Sequence, residues 1–205
     1  MKIFAQFFLM CWCACAWASV LGELAQAAKT GGTTAMDIAQ EKKMAFFEEP
    51  AKSKMRVAVS GAGAMRMQTD SPFEALSVFD GSRFARFERS GGQWRRLDSA
   101  DSPVARGIFA QMFGLFTGSI SGADYKITER GDAVELVPQS AAVRKAVAKI
   151  RIFTRMAGGA RIVEKIVIDD ADGDSSVLKI SNVRKINPDG GFFDTASPSP
   201  WEQGK

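Results

Sequence analysis

The sequence contains no histidine. That absence removes the side chain that most often acts as a general base near neutral pH, activates a nucleophile, or ligates a transition metal. Carboxylates occur as the neighbouring pairs Glu48-Glu49 and Asp169-Asp170. Adjacent residues on a strand point to opposite faces, so neither pair can share a proton at one site. The run Asp170-Ala171-Asp172-Gly173-Asp174 begins like a calcium loop, but Ser175 and Ser181 stand where such a loop needs its glycine and its bidentate glutamate. A polar hairpin turn is the expectation there. Arg83, Arg86, Arg89, Arg95 and Arg96, interleaved with Phe84, Phe87 and Trp94, have the residue types that stack and neutralise nucleic acid. Glu88 and Asp98 dilute that charge, and a solvated strand face or a patch for an anionic partner fits better. No catalytic group, metal ligand set, cofactor motif or nucleic-acid site emerges, and the chemistry left open is the non-covalent holding of something apolar.

The amino terminus supports a life outside the cytoplasm. Met1-Lys2 precedes an apolar run from Ile3 to Leu21, then Ala25-Gln26-Ala27. A positive start, an apolar core and a small-x-small site are the parts of a secretory signal peptide, expected over residues 1–27 and cut after Ala27, with Ala16-Trp17-Ala18 as a weaker site. An uncleaved anchor is the alternative, because the run is nearly long enough to span a bilayer. Trp12-Cys13-Ala14 before Cys15 is a poor lipobox. All three cysteines, Cys11, Cys13 and Cys15, fall inside this leader, so the mature chain carries no thiol or disulfide and must rely on its core. Residues 28–205 suffice for one domain with a substantial core. The 27 basic and 23 acidic residues leave a net charge of +4, a mild excess that suits an anionic or membrane-surface partner without requiring one.

The elements that would position any site are mostly strands. Five runs rich in Val, Ile and Lys or Arg, at 125–128, 134–137, 147–154, 161–169 and 176–184, are separated mainly by Gly or Asp-Gly breaks. Such short connections permit only antiparallel pairing, since a parallel pair needs a long crossover. Upstream, 75–79, Asp80-Gly81 and 83–88 read as a hairpin, and Gly91-Gly92 turns the chain into 94–97. Residues 28–35 read as a flexible mature terminus, and 36–49 as a short helix running into a first strand, ended by Pro50. One segment departs from the β pattern. Residues 104–120 carry Ile108, Phe109, Met112, Phe113, Leu115 and Phe116 at helical spacing, a wide apolar stripe weakened by Gly107, Gly114 and Gly118. That helix is either ordinary core or a soft apolar surface able to repack around different contents.

Several motifs occur in an order that resembles the LolA family of periplasmic lipoprotein carriers, including its shorter relatives associated with lipid-exporter and aryl-polyene systems. They are Val134-Glu135-Leu136-Val137-Pro138, then 147–153, then 162–168 with Asp172-Gly173, then 177–193 with Asn187 and Phe192-Phe193. Met65-Arg66-Met67 followed by Pro72 and 76–81 is similar to a further passage of that family, so the likeness runs from about Phe46 to Trp201. The resemblance implies a mainly β (α+β) fold: a curved, unclosed antiparallel β-barrel or sheet with a helical lid over its concave apolar face. It implies a monomeric, non-enzymatic periplasmic carrier without metal or cofactor. Such a carrier takes lipoprotein acyl chains or another lipid from an inner-membrane exporter and passes them to an outer-membrane acceptor.

The residues expected to line the cavity are Met65, Met67, Phe79, Phe84, Ile150, Ile152, Ile166 and Ile168, under a lid bearing Ile108, Phe109, Met112, Phe113 and Phe116. The family closes its lid with an arginine in a Lys-Arg-Pro-like turn. Here that turn reads Ser60-Gly61-Ala62-Gly63, leaving Arg56 and Arg66 as candidate latches. A lipid-binding sensor or accessory module of an envelope or lipid-export system is the alternative function.

Overall fold

The computed structural model describes residues 19–97 and 100–201, which form three helices and eleven strands. The helices are α1 (Val20–Thr30), α2 (Pro103–Thr117) and the single-turn α3 (Ala141–Arg144). The strands are β1 (Thr33–Lys43), β2 (Ala51–Ser60), β3 (Met65–Ser71), β4 (Ala75–Phe79), β5 (Phe84–Ser90), β6 (Gln93–Arg96), β7 (Tyr125–Arg130), β8 (Ala133–Pro138), β9 (Val147–Ala157), β10 (Ala160–Asp170) and β11 (Ser175–Ile186). They make one antiparallel sheet in the order β6-β5-β4-β3-β2-β1-β11-β10-β9-β8-β7, which ends at β6 and β7 without closing. The carboxy-terminal ladder is β7 to β11 as its alternation predicts, and the expected hairpin at Asp80-Gly81 joins β4 to β5.

The sheet is strongly curved. Helix α1 packs against β10 and also touches β2 and β8, which stand five steps apart in the strand order. Five steps across a flat sheet cover about 24 Å, whereas an eleven-residue helix is about 16 Å long. The strands must therefore curl around α1. The face that carries α1 and α2 is the inner face, and alternation assigns the side chains to it: Met36 and Ile38 on β1, Met55, Val57 and Val59 on β2, Ile150 and Ile152 on β9 all join one buried apolar cluster. At the β6 edge every residue is exposed, and Arg95 and Arg96 charge it, which discourages pairing with a second chain.

Two expectations for the first fifty residues change. The helix-into-strand reading of 36–49 is overturned. Thr33–Lys43 is a strand that pairs with β2 on one side and β11 on the other, near the middle of the sheet, and Met44 and the exposed Phe46 and Phe47 lie in the loop that follows. Pairing on both sides overrides the weak local pattern, because Met36 and Ile38 bury inward while Asp37 and Ala39 face out. The stretch 28–35, expected to be flexible, is the end of α1 and the start of β1. Residues 1–18 of the expected leader lie outside the described residues, and the cut expected after Ala27 falls inside α1, whose buried Val20, Leu21 and Leu24 all precede it.

Candidate functional site

The inner face gathers almost all of the residues expected to line a cavity. Met65, Phe79, Phe84, Phe109, Phe116, Ile150, Ile152 and Ile166 belong to one buried cluster, and Met67, Met112, Phe113 and Ile168 pack against it. The phenyl rings of Phe84 on β5 and Phe109 on α2 lie 4.5 Å apart, in a tilted pair that seats the helix on the sheet. Ile108 is the exception. It is 53 % exposed and, with Val104 at 71 %, forms an apolar edge on the outer side of α2's first turns. The helix is shorter than the 104–120 expected: the Ser102 side chain accepts from Ala105 N–H at its start, and Gly118, expected only to weaken it, ends it in the left-handed region.

The two candidate latches face the wrong way. Met65 and Met67 point inward, so Arg66 between them points outward. Arg66, only 1 % exposed, donates from Nη1 to the carbonyl oxygens of Phe192 (3.0 Å) and Ser199 (2.7 Å), and its guanidinium lies 4.4 Å from the Phe192 ring. Burial, assisted by the nearby Arg56 charge, lowers its pKa to about 10 against the opposing pull of Asp189. Arg56 pairs with Asp70 and lies over Trp201. Both arginines therefore hold the carboxy-terminal tail on the outer face. There Leu76, Val78, Ala85 and Phe87 form a second apolar cluster covered by Phe193.

The ties that close the inner face were not anticipated, and they act on α1. The Glu129 carboxylate on β7 accepts hydrogen bonds from the N–H groups of Val20 (2.9 Å) and Leu21 (3.2 Å), placing a negative charge at the helix amino terminus where the helix dipole favours it. Arg161 on β10 bridges Glu23 in the first turn of α1 and Asp132 in the β7–β8 turn, and donates to Thr154 Oγ1 at 2.9 Å. At the far end of α1, Gly61 N–H donates to Gly32 O at 3.0 Å, and a Cβ on Gly61 would come within 2.8 Å of Ala28 O. The β2–β3 turn thus meets α1 by backbone contact, which only glycine permits.

Between α1, α2 and the ends of β1, β2, β9, β10 and β11 lies a cavity of about 460 Å³, within the range of small-molecule sites. Its apolar lining includes Leu24, Met36, Val59, Phe116, Val163 and Val183, and its rim carries Arg155, Arg161, Arg184 and Lys185. Of the expected site residues only Phe116 lines it. Most of the rest had no signal beyond strand alternation, but α1 did: Val20, Leu21, Leu24, Ala27 and Ala28 recur as one helical stripe after the capping residue Ser19.

Other candidates resolve more simply. Asp170, Asp172 and Asp174 do converge in the β10–β11 turn, but Lys42 Nζ lies 3.1 Å from Asp170 and 3.6 Å from Asp174 and answers their charge within the polar hairpin expected there. The arginine cluster is a solvated face: Arg83, Arg86 and Arg89 pair with Asp80, Glu88 and Glu74. Phe84 and Phe87 point to opposite sides of β5 and are buried, so they offer no stacking surface. A groove of about 910 Å³ on the outer face is lined by Asp37, Lys54, Arg56, Asp70 and Arg184 among others, and is polar.

Two solved structures share this architecture. A LolA superfamily protein from Nitrosomonas europaea matches with 16 % identity, 86 % of this chain, 96 % of that chain and a TM-score of 0.50. A DUF1329 family protein from Desulfovibrio piger matches with 9 % identity, 86 % of this chain, 95 % of that chain and a TM-score of 0.53. The fold is LolA-like. At these identities the likeness establishes the LolA-like fold alone; the sequence matches no protein-family model and no curated protein.

Proposed function

We propose that this chain is a periplasmic carrier that shields the acyl chains of a lipoprotein or other lipid between its inner sheet face and helices α1 and α2, and passes them towards the outer membrane. The observation that carries this reading is the apolar cavity under α1, a space of about 460 Å³ inside an otherwise well-packed inner face. Each methylene withdrawn from water there gains about 0.8 kcal/mol, so a long chain is held reversibly, without covalent chemistry. Release then needs only a shift in the equilibrium between covered and uncovered states, which an acceptor supplies by binding the uncovered one. The reading is non-enzymatic.

The same reading carries a processing step. We place removal of the leader after Ala18 rather than after Ala27, because the later cut would delete the Ser19 cap, the buried Val20, Leu21 and Leu24, and the Glu23 partner of Arg161. The intact mass of the exported protein distinguishes the two, and a mature chain starting at Ala28 would overturn the choice.

Mass spectrometry of lipids extracted from the exported protein tests the carrier reading directly. Co-purified lipid, and uptake of the uncharged fluorophore N-phenyl-1-naphthylamine, are expected. Ala27→Trp places an indole in the cavity without deleting a core contact, and should lower that uptake in a protein that still melts cooperatively. If no lipid co-purifies and the fluorophore does not bind, the carrier reading fails.

A further inference from the structure

The rim of the cavity has one sign of charge. Arg155 from β9, Arg161 from β10, and Arg184 and Lys185 from β11 reach it, and no carboxylate is among the lining residues. Two of these cations are already answered: Arg161 by Glu23 and Asp132, and Arg184 by Asp37 on the outer side at 3.6 Å. The other two are not. Arg155 is exposed and has no ion-pair partner among the described residues, and Lys185 Nζ donates only to the neutral Thr34 Oγ1, at 2.8 Å. Both belong to the lining, together with the apolar Leu24, Met36 and Phe116.

Resting on the carrier reading, we infer that the ligand of this cavity is an amphiphile with an anionic head, its chain on the apolar floor and a phosphate or carboxylate group between Arg155 and Lys185. A guanidinium presents paired N–H donors that match two oxygens of such a head, and an ammonium adds a point charge. An uncharged head would leave both cations unanswered beside a partly desolvated pocket, whereas an anion gains from both. The exposure of Arg155 also gives the attraction a visible signature, since salt screens it.

Displacement of N-phenyl-1-naphthylamine from the exported protein by dodecyl phosphate and by dodecanol, both below their aggregation limits, measures the effect. Dodecyl phosphate should displace the probe at roughly tenfold lower concentration at low ionic strength, the size expected of one favourable charge contact. That ratio should shrink in half-molar salt, and fall to near unity in the double variant Arg155→Gln, Lys185→Gln, whose thermal melt confirms folding. Equal displacement by the two compounds, or an unchanged ratio in the folded double variant, overturns the inference while leaving the carrier reading in place. Inorganic phosphate, titrated calorimetrically, separates a lipid head from a free anion: binding as tight as that of dodecyl phosphate overturns the amphiphile. Failure of both dodecyl compounds to displace the probe would remove the carrier reading and this inference together.

Discussion

Helix α1 touches α2 at one point that a single methyl group can probe. Gly118 ends α2 in the left-handed region at φ +74°, and a Cβ there would lie 2.6 Å from Leu21 O and 2.7 Å from the Cβ of Leu24. Both distances are shorter than real Cβ contacts, and one neighbour is backbone, so Gly118→Ala must push α1 away. Gly91 supplies the control. It has φ +59° in the β5–β6 turn, with nothing within 4 Å of where its Cβ would stand. Alanine in the left-handed region costs about 1–2 kcal/mol at either site. At Gly118 the displaced helix also loses packing around Leu21 and Leu24, each worth about 1.5–3 kcal/mol when fully buried. Half of that loss for each leaves Gly118→Ala about 2 kcal/mol below Gly91→Ala. In a domain of this size the gap corresponds to about 4–8 °C in melting temperature. Thermal melts of the three proteins followed by circular dichroism measure it. Equal melting temperatures for the two variants would mean that α1 is not seated against α2 and would refute the packing of the inner face.

Three further outcomes follow from individual contacts. Burial pushes the Asp80 carboxyl up, but hydrogen bonds from Ser82 and Arg83 outweigh it and hold the group at about 2, below its ordinary 3.8. A depressed carboxyl stabilises the fold above its unfolded value and loses that contribution as pH falls, so Asp80→Asn should lower the melting temperature at pH 7, and the difference from the native chain should vanish between pH 4 and pH 2. Arg66→Ala removes the two charged hydrogen bonds that hold the tail, each worth about 1.5–3 kcal/mol; Trp201 emission should shift to the red and the tail should become the first site of proteolysis, and an unchanged emission would refute the tail contact. Hydrogen exchange should be slower in α1, which is tied by Glu129 and Arg161, than in the first turns of α2, where Val104 and Ile108 are exposed; the opposite order would exchange the roles of the two helices.

How much of this was legible depends on whether the signal was local. The strands from Tyr125 to Ile186 alternate cleanly and are separated by tight turns, so their order and pairing follow from the sequence. The Phe-rich stripe of α2 is equally plain, and its seat on the sheet follows from having one apolar side. Two things were hard to read. The stripe of α1 runs on directly from the apolar run that begins at Ile3, and composition alone does not separate such a run from the first helix of a domain. In β1, Thr, Asp and Gln dilute an alternation that becomes meaningful only once β2 and β11 flank it. The latch candidates carried their own contradiction: Arg66 cannot share a face with Met65 and Met67 on one strand. The cavity was beyond reach, because its walls come from helices and strands far apart in the chain and its volume is what their packing leaves unfilled.

The missing latch arginine changes meaning once the ties of α1 are counted. Glu129 on β7, Arg161 on β10 and Gly61 after β2, which donates to Gly32 O just past the helix, engage the start, the first turn and the end of α1 from three separate places along the sheet. Directional polar contacts do not slide; moving α1 as a unit breaks them together and uncovers Leu21 and Leu24 as well. Helix α2 is held differently. Apart from Tyr125 Oη, which donates to Gln111 Oε1 at 3.3 Å, its seat is apolar, centred on the tilted contact of Phe109 with Phe84. Apolar surfaces tolerate displacement as long as some apolar surface replaces what is lost, and an incoming acyl chain supplies that replacement. Under the proposed carrier function the two helices divide the work of a lid: α1 is the fixed strap over the cavity, and α2 is the wall that yields.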